Sequence, residues 1–189
     1  MTDLVIDTTF KGKNYTITRL PKAEYENCTF ENCNFSKANL SNCTFSECEF
    51  IDCDISNANF AEATLKETLF KDCKLLGVNF QYCNTFILSF NFENCNLDFA
   101  SFYKLKIRKT RFNHCKMKQV EFTNTDASEA IFNQCDLSAA IFSNTILQKA
   151  DFSSAINFSI DPEANAIKNA KFSQDNLAGL LTKYSISIH

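Results

Sequence analysis

The chain repeats every five residues. Large apolar side chains mark the centres at Tyr25, Phe30, Phe35 and Leu40 and onward to Phe80, then two positions late at Phe92, Leu97 and Phe102 and onward to Phe152. Two residues before most centres stands a small one, as at Cys28, Cys33, Ala38, Cys43 and Cys48, and the positions between are polar. A period of five matches neither the 3.6 of an α-helix nor the 2.0 of a strand, so the chain must turn a corner once per pentad. That requirement makes it a solenoid, because each unit buries its apolar side only by stacking on its neighbours.

A longer spacing gives the number of corners. Cys33, Cys53 and Cys73 stand twenty apart, as do Cys95, Cys115 and Cys135, and Phe recurs every ten from Phe50 to Phe80 and from Phe92 to Phe152. Four pentads per coil account for both, stacking like on like at the ~4.8 Å spacing of paired strands. The ten cysteines then become small interior fillers beside an aromatic ladder. Disulfides between stacked coils are the alternative, disfavoured because stacked side chains run parallel instead of meeting. Zinc is disfavoured because its ligands must converge on a tetrahedron. Ala127 places a small residue where a large one belongs.

Composition excludes several function classes. The 189 residues hold only three glycines, far apart, which argues against phosphate-cradling loops. Of the two histidines, His114 falls on an outward position beside an inward Cys115, so no nucleophile–base pair survives the register. No catalytic residue, cofactor or metal is expected. No apolar run approaches the ~18 residues of a membrane span, and the start has no secretory pattern, so a cytoplasmic location is expected.

Stretches such as Ala38-Asn39-Leu40-Ser41-Asn42, Ala58-Asn59-Phe60-Ala61-Glu62 and Cys135-Asp136-Leu137-Ser138-Ala139 resemble the A(D/N)LXX unit of the pentapeptide-repeat family. The resemblance implies an all-β solenoid, a right-handed quadrilateral β-helix, over residues 25–155. Residues 1–24 would be an N-terminal lead and cap. Residues 156–189 would be a tail in which Asp161-Pro162-Glu163 starts a helical turn and Ser173 caps a short α-helix reaching Lys183. The register break at 81–91 reads as a bulge, or as a projecting contact carrying Tyr82 or Phe86.

Any function must lie on the outer faces. From Glu24 to Lys74 ten acidic residues face four basic ones, and Glu47 with Glu67 and Asp52 with Asp72 recur at the coil period. Glu47, Asp52, Glu62, Glu67 and Asp72 are the candidate partner-binding residues. From Lys104 to Lys118 the sign reverses, with Arg108, Lys109 and Arg111 as a secondary contact. Solvated surface is the plain alternative for both.

In length and layout the chain is also similar to Qnr-like proteins and to the microcin-immunity pentapeptide proteins. That narrower resemblance implies a homodimer joined at its C-terminal ends through Leu177, Leu180, Leu181, Tyr184, Ile186 and Ile188. It also implies binding to DNA gyrase or topoisomerase IV, not to nucleic acid or membrane, with protection from quinolones or a peptide toxin. Rows of carboxylates on a duplex-wide rod would mimic the phosphate charge that dominates protein–DNA affinity. A scaffold for another protein, or immunity to a toxin not aimed at gyrase, is the alternative. The tail would either fold back as a cap or form the C₂ interface.

Overall fold

The computed structural model describes residues 3–187 and is a parallel β-solenoid with four faces per coil. On the first face β1 (Asp3–Ile6), β3 (Ala23–Glu26), β5 (Thr44–Ser46) and β7 (Thr64–Lys66) pair in order. On the second face the strands are β2 (Thr9–Lys11), β4 (Thr29–Glu31), β6 (Glu49–Ile51), β8 (Thr68–Lys71), β9 (Phe90–Glu93), β10 (Arg111–Asn113) and β11 (Ile131–Asn133). Parallel bridges such as Asn34↔Asp54 and Ser101↔Glu121 hold the other two. Partners differ by twenty residues throughout, except across the break, where Phe70 meets Phe92 and Lys74 meets Asn96.

Corners are made at one slot, two residues after each centre, where the backbone takes the left-handed conformation. It does so at Asn27, Asn32, Lys37, Asn42 and on to Lys149, with φ of 50–63° from Asn27 to Lys149. Asn and Asp tolerate this region and Gly takes it freely. Two of the three glycines, Gly12 and Gly77, fall on the same slot. At Gly77 a Cβ would stand 2.6 Å from the Asn57 amide oxygen, so a larger residue there would have to turn that side chain aside.

The interior is a ladder. Phe10, Phe30, Phe50, Phe70, Phe92, Phe112, Phe132, Phe152 and Phe172 stack ring on ring, neighbouring centroids 4.6–5.4 Å apart. A second stack through Phe60, Phe80, Phe102, Phe122 and Phe142 meets the first edge-on, the geometry that ring quadrupoles favour. Ala127 is fully buried.

All ten cysteines are free and buried. They are more than filler. Cys33, Cys53, Cys73, Cys95 and Cys135 each point a thiol at the carbonyl of a ladder phenylalanine one coil earlier, at 3.2–3.3 Å. Thr125 and Thr145 make the same bond through a hydroxyl, to Phe102 and Phe122 at 2.8 and 2.9 Å. The slot therefore takes a small side chain, as at Ala38 and Ala58, and gains a hydrogen bond where that side chain can donate.

The coil repeat starts before the expected boundary at 25. β1 and β2 already pair with β3 and β4, and Asn14 bridges Asn34, so residues 3–20 form a coil in register with the next.

Candidate partner-binding surface

Glu47, Asp52, Glu62, Glu67 and Asp72 are all exposed and all sit on the left-handed corner slot, at φ of 50–58°. Backbone bonds from Glu47 N to Lys66 O (2.8 Å) and from Asp52 N to Lys71 O (3.0 Å) place Glu47 over Glu67 and Asp52 over Asp72 on two neighbouring corners. Glu62 lies on a third corner, its N–H bonded to Tyr82 O. Two carboxylates are partly engaged, Glu47 with Lys66 at 3.9 Å and Asp72 by the Asn94 amide at 2.6 Å. A shallow groove of about 240 Å³ beside this corner is lined by Asn32, Asn34, Asp52, Asp54, Asp72 and Lys74.

The basic residues are divided. Arg108 donates from Nε and Nη2 to Asp126 at 2.6 Å. Burial opposes the charge on Asp126, but the Ser128 hydroxyl and the Arg108 guanidinium outweigh it and hold the carboxyl below its ordinary range. Arg108 is thus half committed to the rod itself. Lys109 and Arg111 are exposed, with no acidic partner within 4.0 Å among the described residues.

The break is a true bulge. Asn84 N bonds Ala63 O and Ser89 N bonds Leu65 O, so the two extra residues loop out between them. Phe86 is 90% exposed, with Ile87 and Tyr82 also outside. Inside, Phe90 occupies the slot that Cys28, Cys48, Thr68 and Thr110 fill elsewhere. Its ring reaches Phe80, Phe92 and Phe102 at 5.2–5.9 Å. A large residue in a small-residue slot was the sequence signal for this plug.

The tail folds back on the last coil. Gln174–Leu180 and Thr182–Tyr184 are 3₁₀ turns, not the expected α-helix, and Asp161-Pro162-Glu163 forms a single turn instead of a helix start. Asn176 donates to the carbonyls of Phe152 and Ala155 at 2.8 and 3.1 Å, satisfying acceptors that another coil would have taken. Gly179 accepts from Ile160 N at 2.9 Å, and a Cβ there would run into the Phe158 ring. Lys183 bridges Asp161 at 2.7 Å and Glu163 at 2.6 Å. Of the expected interface residues, Leu180 packs on the core and Leu181 is half-buried, while Leu177, Tyr184 and Ile186 face outward. Ile188 lies outside the described residues.

Two family models match the chain, that of a pentapeptide repeat region at residues 18–102 and that of pentapeptide repeats (a model of eight copies) at residues 121–156, together more than half of its length. The chain belongs to the pentapeptide-repeat family. Among solved structures this pentapeptide-repeat chain is similar to QnrB1, a plasmid-mediated fluoroquinolone resistance protein. One trypsin-treated form matches with TM-score 0.74 and 16% identity over the whole of both chains. A second gives 0.64 and 18% over all of this chain and 98% of the other. Full-length QnrB1 gives 0.52 and 19% over 97% and 100%. At these identities the likeness is one of fold. No curated protein matches.

His114 is exposed and Cys115 buried, so the adjacent pair cannot act as base and nucleophile. Among the described residues no three His, Cys, Asp or Glu side chains are grouped to hold a metal ion, and no helix is long and apolar enough to cross a membrane.

Proposed function

We propose that this pentapeptide-repeat protein acts without catalysis in the cytoplasm, binding DNA gyrase or topoisomerase IV in place of DNA and shielding the enzyme from a quinolone or a peptide toxin. The observation that carries this reading is the paired corner columns, Glu47 over Glu67 and Asp52 over Asp72, exposed on the solenoid. Carboxylates repeated at ~4.8 Å along a column offer a cationic DNA groove the charge it is built to meet. The fold shared with QnrB1 is consistent with that role.

The proposed active form is a homodimer joined at its C-terminal ends, a length of rod that a two-fold symmetric enzyme can engage on both sides. Because Leu180 and Leu181 serve the chain's own cap, the contact would fall to the outward Leu177, Tyr184 and Ile186.

The deciding experiment measures gyrase supercoiling and its quinolone sensitivity with the purified protein at micromolar concentration. A change in either supports the reading, and no change in both removes it. Substituting Leu177→Asp with Tyr184→Asp should give monomers by sedimentation; an unchanged profile would move the interface elsewhere.

A further inference from the structure

We propose that the bulge and the coil after it form a second docking surface, opposite in sign to the acidic corners, which takes an extended acidic segment of a partner protein carrying a large apolar side chain.

Phe86 is 90% exposed and Ile87 stands outside beside it. Burying side chains of this kind normally stabilises a fold, yet Phe90 has taken over the interior role, and its ring contacts Phe80, Phe92 and Phe102. Folding therefore does not need the outward ring, and a two-residue loop would close as well with polar residues. The tip is also held in place, because Phe86 N donates to the Asn84 side chain at 3.0 Å and Ser89 Oγ accepts from Glu67 N at 2.7 Å.

The coil that follows supplies the charge. Lys104, Lys106, Arg108, Lys109 and Arg111 are all exposed. Among the described residues only Arg108 of these five has an acidic partner within 4.0 Å. A groove of about 380 Å³ joins bulge to cations, lined by Leu88, Ser89, Asn91, Arg108 and Lys109 with Glu67 at its edge. An apolar tip beside a row of cations, of which only Arg108 has an acidic partner among the described residues, is complementary to a chain that alternates acid with an aromatic or aliphatic residue.

Area argues against a rigid partner on this patch. A face of four residues at ~3.3 Å each, three coils tall at ~4.8 Å, covers roughly 190 Å², far short of the ~800 Å² per side of a stable interface. An extended segment can follow the groove around the corner and bury more on each side of it.

The test uses the full chain and a fluorescein-labelled 15-residue peptide of Asp and Glu interspersed with Leu and Phe, read by anisotropy. Micromolar binding is expected. Phe86→Ser with Ile87→Ser, and separately Lys106→Glu with Lys109→Glu, should weaken it at least tenfold while circular dichroism is unchanged. Lys37→Glu, on the opposite corner, should leave it in place. The proposal is overturned if a peptide with Ser in place of Leu and Phe binds equally well, since charge alone then suffices. Tighter binding of phosphatidylserine vesicles or duplex DNA than of the peptide would overturn it too. So would sedimentation showing that Phe86→Ser converts a dimer to a monomer, because a second copy would then be the occupant.

Discussion

Phe70 and Phe92 stack with centroids 5.2 Å apart and planes 10° from parallel, although twenty-two residues separate them where every other step of that ladder takes twenty. The aromatic column runs straight through the break, so the irregularity is confined to one neighbouring face. What the bulge removes from the interior, Phe90 returns from the other side of the corner.

That exchange predicts a coupled pair of changes. Deleting Thr85 and Phe86 restores the twenty-residue coil and brings Ile87 back to a centre position, where it collides with Phe90. The deletion alone should lower stability by about 1–3 kcal/mol, the usual cost of overpacking. Adding Phe90→Cys, the residue that the slot holds at Cys28 and Cys48, should recover most of it. Denaturation of the four proteins of the cycle measures the coupling, and additive losses would mean that Phe90 does not plug the bulge.

The coil, the ladder and the faces were readable from the sequence because a strict period leaves each residue type one place to go. Phe70 and Phe92 announce their column by spacing alone, and so do Cys33, Cys53 and Cys73. The tail was less legible. Leu177 and Leu180 have helical spacing in either an α-helix or a 3₁₀ turn, and only the carbonyls of Phe152 and Ala155, which need Asn176, decide how it docks. The corner slot went unread although Gly12 and Gly77 mark it, because its signal is a backbone angle and not a side-chain pattern. Charge marks the acidic candidates in the sequence, whereas their strained placement leaves no such mark.

Four of the buried thiols should be silent in the native protein. Burial pushes Cys48 and Cys83 up to about 12. Stacking on the thiol of the next coil, with burial, does the same for Cys95 and Cys115. Since the thiolate is the nucleophile, none of the four should react with a disulfide reagent at pH 8 until the chain unfolds. Counting reactive thiols with and without denaturant checks this, and fast native labelling of any of them would show that the coils open locally.

The tail latch should depend on acid. Lys183, hydrogen-bonded to Asp161 and Glu163, holds both carboxyls below their ordinary values, and they in turn raise its own. Depressed carboxylates contribute stability above their unfolded values, near 4, and that contribution is lost as pH falls through the lower folded ones. Docking of residues 174–184 should therefore be constant from about pH 5 to 9 and loosen below about pH 4. Lys183→Ala should loosen it already at neutral pH. Hydrogen exchange in that segment reads both, and unchanged protection in the variant would leave Asn176 as the main tether.

The proposed role of the acidic corners sets stability against binding. Glu47, Glu62 and Glu67 hold φ of 50–58°, a region that costs a residue with a Cβ about 1 kcal/mol or more, and Glu47 and Glu67 also repel along one column. Nothing in the rod requires glutamate there, since Asn27 occupies the same corner one coil earlier at φ 51°. Changing Glu47 and Glu67 together to Asn should raise stability by roughly 1 kcal/mol and, if the proposed gyrase contact uses this column, weaken it at the same time, the trade expected where charge is kept for a partner. Chemical denaturation and a gyrase binding assay on the same variant measure the two effects. A variant that is less stable than the parent would mean that these carboxylates hold the rod together, and one that binds as well would remove them from the partner surface.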